Sequence, residues 1–159
     1  MKKALIAIYL VLFCALPALA DNAQQLVGVW KLQTYYAEFQ DTGETKAAFG
    51  ANPNGYIIFT PDGRMMALLT AEGRQTPQTD ADRVAAFRSM SAYSGTYRLE
   101  EDRWITTVDV SWNEAWTGTE QMRFYRLDGD TLTVTTAWRS NVIYDGRITR
   151  STLTWIRAR

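Results

Sequence analysis

From residue 21 onward one signal dominates the chain. Short runs rich in Val, Ile, Thr, Tyr, Phe and Trp, with apolar and polar residues alternating, return roughly every 8–12 residues between clusters of turn formers. A period of two sends successive side chains to opposite faces of an extended backbone, so each run can bury one face. Read this way, strands fall at residues 27–39, 55–60, 64–70, 95–100, 103–112, 121–127, 131–138 and 147–157, which makes eight. The connections carry turn chemistry. Pro61-Asp62-Gly63 combines a preset φ with a residue free to take positive φ, Asp128-Gly129 and Asp145-Gly146 suit two-residue hairpins, and Glu100-Glu101-Asp102 turns polar side chains outward. Neighbours in sequence are therefore expected to pair as hairpins.

One segment departs from this period. Thr79 offers a helix cap, Asp80 and Asp82 sit in a first turn, and Val84, Phe87 and Met90 follow at helical spacing. A helix over 80–92, between the third and fourth strands, is expected to lay its apolar face over an open end of the sheet. An eight-stranded antiparallel meander of this length removes its exposed edges by closing on itself. The predicted fold is thus all-β: an eight-stranded up-and-down barrel with one short helix. Such a barrel encloses room for packed side chains or for one small ligand.

The first twenty residues read differently. Lys2 and Lys3 precede an uncharged apolar run over 4–16, and Ala18-Leu19-Ala20 has the small-x-small pattern of a signal-peptidase site. A signal peptide over 1–20 and a barrel domain over 21–159 are expected, with export to the periplasm or medium. The run is too short for a membrane span, which takes ~20 apolar residues, so no stable membrane insertion is expected after cleavage. Phe13 stands before Cys14 where a lipoprotein signal needs a small residue. Cys14 is the chain's one cysteine and histidine is absent. Beyond residue 20 there is thus no Cys/His zinc site, His-ligated haem, Ser-His-Asp triad or thiol nucleophile, since each needs a side chain that is missing. No metal or cofactor is implied. Cleavage removes two of the 17 basic residues and none of the 17 acidic ones, leaving 15 − 17 = −2. That charge, with no basic run interleaved with aromatics, argues against nucleic acid as a partner.

Several stretches together carry a family likeness: Gly28-x-Trp30-x-Leu32, Gly55-Tyr56-Ile57, Thr60-Pro61-Asp62-Gly63-x-Met65, Tyr93-Ser94-Gly95-Thr96-Tyr97, Gly118-Thr119-Glu120-Gln121-x-Arg123 and Leu153-x-Trp155-x-Arg157. The chain resembles the bacterial and fungal lipocalin-like domain family over nearly all of its length past the leader. The resemblance implies that Gly28, Trp30, Trp155 and Arg157 close the barrel base, with the tryptophan as plug and the arginine packed across it. Members often carry a histidine near Thr107 and a proline near Glu114; this chain has neither, so any activity resting on that histidine is not implied here.

The candidate site residues are Tyr93, Asp109, Trp112, Trp116, Arg123 and Tyr125. Alternation leaves open which face of 103–112 looks inward: Trp104, Thr106, Val108, Val110 and Trp112, or Ile105, Thr107, Asp109 and Ser111. With Asp109 and Arg123 inside, the pair orients a ligand's polar end; the same pair equally serves as a structural ion pair. Tyr93, Trp112 and Trp116 lie near strand ends, where aromatics either line a mouth for a ring-bearing molecule or cap the core. No nucleophile elbow, phosphate loop or metal-ligand cluster appears, and no catalytic residue is assigned. The leading expectation is an exported carrier of a small, largely apolar molecule. A metal-free enzyme using carboxylate, tyrosine and arginine groups, and a filled barrel acting as an interaction protein, are the alternatives. The oligomeric state is not legible.

Overall fold

The computed structural model describes residues 24–141 and 144–158, so the expected leader lies outside the described residues. Ten strands form one antiparallel sheet: β1 (Gly28–Phe39), β2 (Thr45–Ala47), β3 (Asn54–Phe59), β4 (Arg64–Thr70), β5 (Met90–Glu100), β6 (Arg103–Ser111), β7 (Glu120–Asp128), β8 (Thr131–Thr135), β9 (Arg139–Ser140) and β10 (Ile148–Arg157). The order is β2-β1-β3-β4-β5-β6-β7-β8-β10-β9, and β1 also pairs with β10. That last ladder, from Trp30↔Arg157 to Phe39↔Thr149, closes the eight long strands into a barrel. The short β2 and β9, unforeseen from sequence, are flaps added at one end.

Most of the long strands bury alternate residues, as in β4, where Met65, Ala67 and Leu69 face in and Met66 and Leu68 face out. Two bulges interrupt that rhythm. In β1 the register slips between Leu32 and Thr34, so Trp30 and Leu32 point inward before the slip and Ala37 and Phe39 after it. In β6, Ser94 pairs with Val110 but Gly95 with Val108, which leaves Asp109 unmatched. Trp104, Thr106 and Val108 therefore face in, whereas Val110 is 65% exposed.

The helix, α1 (Asp80–Arg88), begins as the sequence indicates. The Thr79 hydroxyl accepts from the Asp82 amide and the Asp82 carboxylate accepts from the Thr79 amide, a reciprocal cap. It ends four residues before the expected 92, because Met90, Ser91 and Ala92 pair with Thr70, Leu69 and Leu68 of β4 instead. Without Met90 its apolar face shrinks to Val84 and Phe87, both half exposed, and no helix residue is buried. The expected burial of this face against the barrel end is not seen; Phe87 meets the rim tryptophan Trp112, with ring centroids 6.3 Å apart, while staying half exposed.

The interior of one end is solid. Trp30, Trp104, Phe59 and Leu132 are fully buried there, with Phe59 edge-on to both Trp104 and Tyr97 at 5.1 Å. The Trp30 indole N–H donates to the Leu26 carbonyl at 2.9 Å. Arg157 lies across the Trp30 ring at 4.1 Å and donates to the carbonyls of Val27 (3.0 Å) and Gln25 (2.5 Å). Gly28 makes this possible: its φ is +136°, and a Cβ there would stand 2.8 Å from Arg157 Nη1. Trp155 differs from the other proposed base residues. It sits higher in the barrel, paired with Leu32 and Leu132.

At Gly95 the backbone of β6 comes so close that an added Cβ would meet the Thr107 carbonyl oxygen at 2.0 Å. Gly95→Ala is expected to destabilise the barrel by about 1–3 kcal/mol, the usual cost of overpacking, read from the midpoint of urea unfolding.

Candidate functional site

Opposite the packed end, the barrel opens into a pocket. Its enclosed space is small, ≈ 60 Å³, and the ≈ 490 Å³ of empty space within its outline includes open solvent at the mouth. Tyr35, Tyr93, Trp116, Arg123, Arg139 and Trp155 contribute to its wall along with aliphatic side chains such as Ile57, Leu69, Val134 and Leu153. Trp155, 2% exposed, forms the floor above the packed layer, and its indole Nε1 is buried with no hydrogen-bond partner.

A line of aromatic rings runs from the rim inward. Phe87 touches Trp112, Trp112 is edge-on to Trp116 at 5.0 Å, and Trp116 is edge-on to Tyr93 at 5.4 Å. Trp116 ends a 3-10 turn (Glu114–Trp116) whose first residues are fixed by Asn113, its side-chain oxygen accepting from the Ala115 amide at 3.2 Å. That turn directs the indole over the mouth. Tyr93 and Trp116 thus line the cavity, and Trp112 stands beside it on the rim.

Arg123 and Tyr125 alternate inward on β7. Arg123 is 7% exposed, lines the cavity, and donates to the Met122 carbonyl at 2.7 Å and to Gln121 Oε1 at 3.3 Å. Tyr125 lies deeper, with its ring 5.7 Å from Trp104, and burial pushes its hydroxyl pKa up; that hydroxyl has no hydrogen-bond partner. It belongs to the packed layer, not to the cavity wall. Asp109 is a correction. It lies on the outer face with Thr107, since Thr106 and Val108 take the inner one, and it pairs with Arg64 (Nη2–Oδ2 2.5 Å) with both side chains nearly half exposed; no Asp109–Arg123 pair forms.

The cavity's second arginine was not foreseen. Arg139, on the flap strand β9, brings its guanidinium 5.3 Å from the Trp116 ring, while that of Arg123 lies 5.7 Å from the same ring and 5.8 Å from Tyr93. Both guanidiniums approach one acceptor, Gln121 Oε1. Burial first, and the neighbouring Arg123 charge second, pull the Arg139 pKa below the ordinary arginine value. Tyr35 and Ser151, hydrogen-bonded at 3.4 Å, and Thr136 complete the polar part of the wall. Among the described residues, no carboxylate lines the cavity. Among the described residues no cluster of three or more metal-ligating side chains occurs, and no helix is long and apolar enough to cross a membrane.

Residues 27–158 match the lipocalin-like domain family. The chain belongs to that family. The closed antiparallel meander and its plugged base give the match its physical content. Among solved structures, this lipocalin-like barrel is similar to a lipocalin-like protein from Bacteroides uniformis ATCC 8492, at 13% identity and a TM-score of 0.46, over 84% of this chain and 98% of the other. It is also similar to an uncharacterized protein from Bacteroides eggerthii DSM 20697, at 17% identity and a TM-score of 0.42, over 84% and 99%. No protein of curated function matches the chain.

Because Asp109 stands outside and its pair with Arg64 is solvated, Asp109→Asn is expected to lower stability by at most about 1 kcal/mol and to leave ligand binding in the cavity unchanged. Paired titrations of parent and variant with a fluorescent apolar probe check both.

Proposed function

We propose that this lipocalin-like protein is exported and holds one small, largely apolar or ring-bearing molecule in the open half of its barrel. The observation that carries the reading is the division of the interior. Fully buried aromatics fill one end, whereas the other keeps a cavity walled by Tyr35, Tyr93, Trp116 and aliphatic side chains. Such a wall gives apolar contact over most of a ligand and a few polar groups to orient it. The packed floor at Trp155 limits the ligand to the upper half, which suits a compact molecule over a long chain. A filled barrel working only through its outer surface has no need of this space. An enzyme running carboxylate chemistry would need acids that the lining lacks. Export rests on the leader, with Lys2, Lys3, the apolar run and Ala18-Leu19-Ala20.

N-phenyl-1-naphthylamine, neutral and fluorescent in apolar surroundings, is expected to bind at one site per chain. At about −0.3 kcal/mol or better per non-hydrogen atom, its dissociation constant should be on the order of 100 μM or tighter. Saturable fluorescence at unit stoichiometry supports the reading; no enhancement over buffer overturns it. For export, N-terminal sequencing of protein recovered from the producing cells should begin at Asp21. A chain that retains Met1 and stays in the cytoplasm contradicts that part.

A further inference from the structure

The arginines of this protein sort into three groups. Several pair with acids on the outer face, among them Arg64 with Asp109, Arg98 with Glu120, Arg147 with Asp41 and Arg150 with Glu38. Arg74, Arg88 and Arg126 lack an acid but stand exposed to water. Arg123 and Arg139 alone among the described residues are withdrawn from water with no carboxylate partner, and they are withdrawn into the same cavity. Two like charges side by side in a partly dry site are costly unless something of opposite sign joins them. The Trp116 and Tyr93 rings and Gln121 Oε1 offset part of that cost, but they carry no formal charge. Among the described residues, the one side-chain hydrogen bond of Arg139 is the 3.5 Å one to Gln121 Oε1, which leaves most of its N–H donors without a partner there.

We propose that the ligand is an organic acid: a compact apolar body that lies against Tyr93, Trp116 and Trp155, with one anionic head, of carboxylate type, held between the guanidiniums of Arg123 and Arg139. A guanidinium offers paired N–H donors whose geometry matches a carboxylate, and the ion pair forms where water is largely displaced, so the head group is recognised by charge and shape together. This deepens the small-molecule reading above and rests on it.

A matched pair of probes separates the two. 1-Anilinonaphthalene-8-sulfonate and N-phenyl-1-naphthylamine share one ring system and differ by the anionic group. The parent protein is expected to bind the anionic probe at least about tenfold more tightly, a difference of about 1.4 kcal/mol. Arg123→Met and Arg139→Gln should each bring the anionic probe toward the affinity of the neutral one while leaving the neutral probe's affinity within about twofold, which also shows that the variants are folded. Equal affinity of the parent for both probes overturns the organic-acid inference and leaves the apolar-carrier reading standing. Binding of neither probe overturns both. Loss of both probes in both variants, with unchanged far-UV dichroism, makes the arginines structural and overturns the inference as well.

Discussion

Everything in this molecule depends on β1 reaching two partners. Its first residues, Gly28 to Lys31, pair with β3, and from Trp30 to Phe39 it pairs with β10 on its other side. Without the second ladder the sheet would keep two long unpaired edges, a template for association with other chains. With it, the inner face becomes an enclosed volume that side chains must either fill or leave hollow. The position of Arg157, last residue of β10, above the Trp30 ring follows directly from the register Trp30↔Arg157. The plug at the base is therefore a consequence of closure as well as a lock on it.

Once closed, the barrel spends its bulk unevenly. The tryptophans and phenylalanine near the base, Trp30, Trp104 and Phe59, exclude water by size alone. Toward the other end the inward positions become smaller or polar: Ala67, Ser91, Thr136 and Ser151. The gradient produces a cavity with no dedicated device. The flaps then furnish it, since Trp116 arrives on a connection and Arg139 on the short β9, while rigid strands supply the walls. Carrying the recognising groups on loops over a fixed scaffold is a common division of labour.

Much of this was legible in the amino-acid sequence. Period-two runs located the long strands, Pro61-Asp62-Gly63 and Asp128-Gly129 located hairpins, and Thr79 with Asp82 located the helix start. The failures have physical causes. Helical spacing at Met90 lost to the ladder with Thr70, which needs β5 to begin there. Asp109 was set inside as a partner for Arg123, a choice between two faces that alternation alone leaves open; the face of Trp104, Thr106 and Val108 is the inner one, and the extra residue in β6 turns Val110 outward as well. Tyr35 in the wall is likewise hidden by the slip after Leu32. Arg139 lies past the end of β8 and comes back over the mouth only because β9 pairs with Ile148 and Thr149 of β10, a contact with no local signature.

The outer face poses the strongest challenge to an internal site, because Met66 and Leu68 on β4 and Val110 on β6, on either side of Ser94 of β5, are exposed apolar residues. Amide and indole chemical-shift mapping with N-phenyl-1-naphthylamine decides between inside and outside. An internal site gathers the perturbations at Tyr93, Trp116, Arg123, Arg139 and the Trp155 indole, with Met66, Leu68 and Val110 unmoved. Shifts confined to those three outer residues, with the cavity residues silent, would contradict it.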